Sequence, residues 1–353
     1  MPLETNFSGG EFHLADPTAY PDWDRHVALL PGAGFFHTAA WARVLVETHG
    51  YSPQYLVFQS GGRLTAVLPL MEIASWLTGR RGVSLPFTDA VEPLGTDAGA
   101  LAQLYGEARR LAGERGWKYL EYRGGGSKLA AAAPSTRYYQ HVLDLQDGEA
   151  GLFARCDEAV RRAVRKAERN GLKVDFSTDE AALREFFELF CQTRRKHGAP
   201  PQPFRFFACI QRHVLQAGHG WIALARHEGR PVAGAIYFHG GRHALYKFGA
   251  SDESRQHLRG NNLVMWAAIA KYAREGFASF DFGRTSLDNE GLRKFKASWG
   301  AAESTLDYWR YDLATGSFVA VADRASGTQA SVFRMLPVPL SRLIGQWAYR
   351  HIG

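Results

Sequence analysis

The order of apolar runs, turns and helix ends predicts an α/β (α+β) fold. We expect two tandem domains, each a mixed central sheet flanked by helices, related by internal duplication. Three observations carry this. At 353 residues the chain can bury two cores of ordinary size. The run "QYLVFQSGGRLTAVLPL" (54–70) sets two apolar stretches about Gly61-Gly62-Arg63, a β-hairpin pattern. A helical stretch (97–116) ending at Gly116 follows, then a short strand, "WKYLEYR" (117–123). The same order then returns in the second half of the chain.

There "WIALARHEGRPVAGAIYF" (221–238) is again strand, glycine turn, strand, and "LYKFGAS" (245–251) adds another strand. "NNLVMWAAIAKYAREG" (261–276) reads as a helix and "FASFDFGR" (277–284) as the next strand. Aligning "ERGWKYLEYR" with "REGFASFDFG" matches Gly116 with Gly276, Trp117 with Phe277 and Glu121 with Asp281. Chance likeness of two helix–glycine–strand units is the alternative. The hairpin ahead of each piece favours duplication.

Apolar residues make up 46% and charged residues 22%, a globular and not a disordered composition. No apolar run approaches the ~18–20 residues that span a bilayer. The N-terminus has no basic patch followed by an apolar core, so no secretory signal is expected and the chain reads as cytoplasmic. Cys156, Cys191 and Cys209 form no CxxC pair, which leaves neither a disulfide scaffold nor a zinc site to expect; Cys191 reads as a buried thiol. No HxH or HExxH spacing appears, so no metal site is expected, and there is no GxSxG. "YRGGGSK" (122–128) lacks the context of a P-loop and reads as a flexible loop. The formal charge of +7 favours an anionic partner such as RNA, a diphosphate or an anionic membrane surface. No DNA partner is expected.

Between the halves, "GLFARCDEAVRRAVRKAERNGLKVDF" (151–176) reads as a basic helix carrying Arg155, Arg161, Arg162, Arg165, Lys166 and Arg169. Arg161 and Arg165 are candidate phosphate contacts, with an ordinary solvated face as the alternative. A second helix (179–198) opens at Asp179 and is stopped by "APPQP". The tail (331–353), apolar with scattered arginines, either packs back on its own domain or lies on a membrane surface.

Two segments concentrate the candidate chemistry. In "FDFGRTSLDNEGLRKFKASWG" (280–300) Gly283 permits a sharp turn, and Arg284 emerges at the strand's carboxyl end, where ligand sites of α/β sheets gather. Asp288 or Asn289 can cap the helix that follows. Leu292, Phe295 and Trp299 share one face of it, with Lys296 at the rim. Lys296 there either stabilises an oxyanion or is a solvated surface lysine. In "YKFGASDESRQHLRGNNLVMW" (246–266) a loop with Arg255, Arg259 and Gly260 leads into a helix near Asn261, whose free N–H groups suit a phosphate. A coenzyme A pyrophosphate site and a polar helix-capping loop both fit. The usual glycine pattern of such sites is interrupted by Asn261 and Asn262.

These pieces, with "FFHTAAWARVL", "FFELFCQTRRKHG", "LYKFGASD" and "NNLVMWAAI", spread over residues 35–300. In this order they resemble the Fem-type peptidyltransferases of the GNAT-like acyltransferase superfamily. The resemblance implies two GNAT-like domains, one over 1–145 and one over 146–312 bearing the catalytic motif, with 313–353 packing back on the first. It implies transfer of an acyl or aminoacyl group, without a cofactor, from aminoacyl-tRNA to an amine of a diphosphate-linked peptidoglycan or polysaccharide precursor. Lys296, with Phe295 beside it, would match the lysine of the Phe-Lys-x-x-aromatic-Gly motif. Thr193 and Arg195 would match a Thr-x-Arg that contacts the acceptor's diphosphate. Tyr246 would touch the acceptor, and Arg284 and Asn289 the donor or the turn. Leu45 stands four residues after Trp41, where bridge-forming members often carry a lysine, which weighs against a nucleotide-sugar acceptor. Two alternatives remain open: an acyl-CoA-dependent N-acyltransferase for polysaccharide modification, and a non-catalytic binder of RNA or an anionic carrier lipid.

Overall fold

The computed structural model describes residues 10–125, 129, 131–321 and 333–352. Residues 126–128 of the glycine-rich stretch read as a loop, the first nine residues, and part of the stretch 313–332 lie outside them. The chain divides into two compact units: Met1–Tyr138 with Thr305–Asp323 and Ala348–Gly353, and Tyr139–Ser304 with Arg324–Trp347. Each combines helices with strands in mixed pairing.

In the first unit, Gly10–Ala15, Tyr55–Ser60, Arg63–Leu68 and Leu94–Gly95 form one sheet in that order. The hairpin turn at Gly61 and Gly62 has φ of 56° and 73°, which glycine adopts without strain. A second set runs Ala302–Asp312, Tyr119–Arg123, Gly79–Val83, Met71–Ser75. The helix Ala98–Glu114 covers the core of Phe12, Leu56, Leu68, Leu104, Leu111, Trp117, Leu120 and Trp309. Asp97 caps that helix, its Oδ1 accepting from the N–H groups of Gly99 (2.6 Å) and Ala100 (3.0 Å).

In the second unit the order is Lys173–Ser177, Gly220–His227, Arg230–Gly240, His243–Ser251, Ser279–Ser286, then Thr136–Asp144, whose last residues belong to this unit. The first four are antiparallel neighbours, and His243–Ser251 pairs Ser279–Ser286 in parallel. The helix Gly260–Arg274 packs on one core with Val160, Val164, Tyr237, Phe280 and Trp299. On the helix Glu180–Lys196, Phe186 and Phe190 meet Phe207 and Phe248. All three cysteines are buried and free.

The duplication read from the sequence extends to individual hydrogen bonds. In the first unit Gly82 and Val83 pair in parallel with Leu120 and Glu121; in the second, Ala244 and Leu245 pair in parallel with Phe280 and Asp281. Trp117 N–H donates to Ala112 O (2.9 Å) and Phe277 N–H to Tyr272 O (3.0 Å). Lys118 N–H donates to Arg80 O (2.8 Å) and Ala278 N–H to Arg242 O (2.7 Å). Gly116 and Gly276, which end the two helices, both have positive φ.

Two expectations are corrected. The basic helix is broken: Gly148–Arg155 and Glu158–Arg169 are separate, because Cys156 is extended (ψ 146°) and Asp157 starts the second helix. Arg155 therefore lies on the first piece. The tail is divided between the units: Thr305–Asp323 and Ala348–Gly353 group with the first and Arg324–Trp347 with the second. The cause is close packing of the helix Val338–Ile352: a Cβ at Gly345 would lie 2.0 Å from the Pro201 carbonyl oxygen, and Arg342 pairs with Glu188 at 2.6 Å.

Burial alone would raise the Glu121 carboxyl, but Arg123 and Arg310 outweigh it and hold it at about 2. A carboxyl depressed in the folded state stabilises above its unfolded value of 4.5, and that contribution is lost as pH falls toward 2. The melting temperature should therefore drop on acidification below about pH 4.5. Glu121→Gln should lower the neutral-pH melting temperature and flatten this acid limb, as read by calorimetry across pH.

Candidate active site

The site in the second unit begins with a strand pair that separates. His243–Ser251 and Ser279–Ser286 pair only at His243–Ser279, Ala244–Phe280 and Leu245–Asp281. Both strands continue past these partners, so the parallel ladder ends while the chains run on. A register shift between Ile236 and Tyr237, opposite Phe248 and Tyr246, marks the same level on the other flank of His243–Ser251.

Lys296 holds the far strand. It is 3% exposed, and its Nζ donates to the carbonyl oxygens of Gly283 (2.7 Å) and Arg284 (2.9 Å). Gly283 takes φ 72°, and its N–H donates to Asp281 Oδ1 (2.7 Å), while Gln140 Nε2 donates to Asp281 Oδ2 (2.6 Å). The turn is thus fixed from three sides. The solvated-lysine alternative is excluded.

Beyond the last strand pair lies a cavity of about 340 Å³. Tyr246, Gly249 and Ser251 line it from one strand, Leu292 and Phe295 from the helix Glu290–Ala297, and Asn261 from the start of the helix Gly260–Arg274. Through the Gly283 and Arg284 carbonyls the Lys296 ammonium is tied to the strand end that borders the cavity. Tyr246 folds over Gly249 so closely that a Cβ there would lie 1.7 Å from the phenol oxygen. Burial pushes the Tyr246 phenol up to about 12, so it stays protonated and able to donate at neutral pH.

The helix Gly260–Arg274 reaches the cavity with its N-terminus. Arg259 before it is left-handed (φ 63°) and offers no side-chain cap, unlike Asp97 in the first unit. Gly260 permits the approach: a Cβ would meet Ala233 Cβ at 3.0 Å and Val232 Cγ2 at 3.1 Å. The N–H groups of that first turn favour an anion.

Thr193 lines the same cavity, and its hydroxyl is engaged: Ser251 N–H donates to it at 3.0 Å, and it donates back to Ser251 O at 3.3 Å. It docks the helix Glu180–Lys196 on the strand end. Arg195 lines a neighbouring cavity of about 880 Å³ with Lys196, Asp252 and Arg334, its Nε 3.5 Å from the Arg334 carbonyl oxygen. Lys196 pairs with Glu253 there at 2.9 Å.

The other candidates lie as follows. Asn289 Oδ1 caps the helix Glu290–Ala297 through Leu292 N–H (3.1 Å), and Arg284 is exposed. Arg255 lies 3.7 Å from Asp252. Arg161 donates to the carbonyls of Ala154 (2.7 Å) and Cys156, closing the end of the preceding helix. Arg165 lies over the Phe153 ring at 5.5 Å. The sequence reading missed Gly249 and Asp281 as site-forming residues, and the loop residue Gln256 does line the cavity. A glycine inside the strand "KFGAS" was the available signal, because strand glycines mark close approach. Among the described residues, no group of three or more His, Cys, Asp and Glu could hold a metal ion.

Lys296→Met should leave two strand-end carbonyls without their donor, at a cost of about 2–4 kcal/mol, and lower the melting temperature. Gly249→Ala should displace the Tyr246 ring into the cavity and weaken ligand binding by about tenfold or more, with the melting temperature changed far less than by Lys296→Met.

Residues 154–297 match the family model of the acetyltransferase (GNAT) domain. No curated protein matches the chain. Among solved structures, FemX is similar at 16% identity and a TM-score of 0.66, over 84% of this chain and 96% of that one. A tandem GNAT protein from the clavulanic acid biosynthesis pathway is similar at 15% identity and TM-score 0.55, over 86% and 98%. L-PGS from Bacillus licheniformis is similar at 12% identity and TM-score 0.52, over 87% and 90%. Residues 154–297 thus match a GNAT domain, and the chain as a whole shares the fold of these tandem GNAT structures.

Proposed function

We propose that the protein is an N-acyltransferase of the Fem type, which moves an aminoacyl group from aminoacyl-tRNA to an amine of a diphosphate-linked cell-envelope precursor. The observation that carries it is the opening between His243–Ser251 and Ser279–Ser286, beside an uncapped helix start. The match of residues 154–297 to a GNAT domain and the likeness to FemX support it.

The chemistry needs positioning more than reactive side chains. The acceptor nitrogen attacks the ester carbonyl carbon and a C–N bond forms. The ester C–O bond then breaks, and the ribose hydroxyl leaves with the proton the amine gives up. Holding the two reactants together supplies much of the acceleration. Backbone N–H groups of the strand past Leu245, where the parallel ladder has ended, and the neutral Tyr246 phenol suit the oxyanion and the leaving oxygen. Lys296 acts in this scheme as a positioning residue that holds the strand end open. Arg195 and Arg334, on the neighbouring cavity, suit the acceptor's diphosphate.

A second reading is favoured by one feature. The uncapped N-terminus at Gly260 would equally suit the pyrophosphate of an acyl-CoA donor. Competition binding separates the two, with charged tRNA set against acyl-CoA thioesters at low and moderate salt. Charged tRNA should win, with affinity falling steeply as salt rises. Preferential acyl-CoA binding would move the donor to the second reading, and binding of neither would overturn the transferase assignment.

Tyr246→Phe removes the phenol and keeps the ring. Turnover should fall about tenfold to a thousandfold with KM little changed, as measured by steady-state kinetics with the donor that binds.

A further inference from the structure

We propose that the outer face of the C-terminal helix docks the protein on an anionic phospholipid surface. The helix Val338–Ile352 has two opposite faces. Ser341 and Gly345 lie on the inner one, packed closely enough that a Cβ on Gly345 would meet the Pro201 carbonyl. The outer face carries Leu340, Leu343 and Trp347, spaced three and four apart and 44%, 64% and 51% exposed. Met335, just before the helix, is 85% exposed. Scattered exposed leucines are ordinary, but a row of large apolar side chains along one helix marks a contact surface.

Charge selects the partner. Residues 333–352 contain Arg334, Arg342 and Arg350 and no Asp or Glu. A second copy of the same face would bring arginine against arginine, whereas anionic lipid headgroups complement it. The helix is not long and apolar enough to cross a bilayer, so its geometry is that of a helix lying in the interface, where tryptophan is favoured. Beside it opens a cavity of about 390 Å³ lined by Arg184, Phe187, Phe204, Arg205, Arg342 and Gln346. Arg342 sits 5.1 Å over the Phe187 ring and Arg184 5.0 Å over Phe204. Arg342 pairs with Glu188 in this lining and Arg184 with Glu180, so the exposed Arg205 is the cation this cavity offers to a lipid phosphate, beside the exposed Arg350 on the helix. This surface is independent of which acyl donor the enzyme uses.

The test is co-sedimentation of the full chain with vesicles of phosphatidylcholine alone or containing about one quarter phosphatidylglycerol. Binding should require phosphatidylglycerol and weaken with salt. The double variant Leu340→Ser, Leu343→Ser should lose about tenfold or more in vesicle affinity while its melting temperature and donor binding stay unchanged. Arg350→Glu, at an exposed position, should weaken binding by a smaller factor and serves if the double variant misfolds. Absence of binding to both vesicle types would overturn the proposal. So would equal binding by the folded variants, or a concentration-dependent dimer without lipid that the double variant dissolves.

Discussion

The second unit depends on an ammonium group placed where a neighbouring strand would ordinarily end. Lys296 gives its Nζ donors to the carbonyls of Gly283 and Arg284. A buried carbonyl that leaves a ladder must find another donor or cost free energy comparable to a lost hydrogen bond. Lys296 supplies that donor, and the strand can diverge from His243–Ser251 without stranding its acceptors. The cavity lined by Tyr246, Gly249 and Phe295 is the space this divergence leaves. Burying the ammonium is tolerable because two good acceptors face it.

The same constraint explains the residues around it. Gly283 accepts a positive φ that brings two successive carbonyls toward one donor. Asp281 holds the Gly283 N–H and the Gln140 amide, fixing the turn against the adjacent strand. Phe295, the residue before Lys296, then falls on the cavity side of its helix while the lysine points inward. Under the proposed function the chemistry would be left to backbone N–H groups, a neutral phenol and a helix start. Such donors suit a reaction whose main need is that two substrates lie together.

Much of the fold could be read from the residues because its signals are local. Gly61-Gly62, Asp179, the proline pair after His197 and the two helix-ending glycines each act over a few bonds, and the structure uses each as expected. The site was legible in composition and not in direction. Tyr246, Phe295, Thr193 and Asn261 do line one cavity. Lys296 was expected either to stabilise an oxyanion or to be solvated, because spacing places it beside Phe295, but spacing does not say which carbonyls will need a donor. That depends on where a strand thirteen residues upstream leaves its ladder. The basic helix failed for a similar reason: the break at Cys156 is set by Asp157 N–H donating to Ser298 O, a contact far along the chain.

The internal repeat shows where the two copies of the fold differ. Glu121 and Asp281 occupy matching ladder positions, and the helices before them end alike. In the first unit, Glu121 is clamped by Arg123 and Arg310, and the strand beside it, Gly79–Val83, stops at the paired residues. Its helix start is also occupied by the Asp97 carboxylate, which satisfies the N–H groups an anion would seek. In the second unit the equivalent strand runs on to Ser251, and Arg259 gives the helix start no side-chain cap. Two local changes, a longer strand and a missing carboxylate cap, therefore distinguish the second copy, and under the proposed function they are what would let it receive an anionic donor or acceptor. The other copy retains its hydrogen-bonding pattern as scaffold.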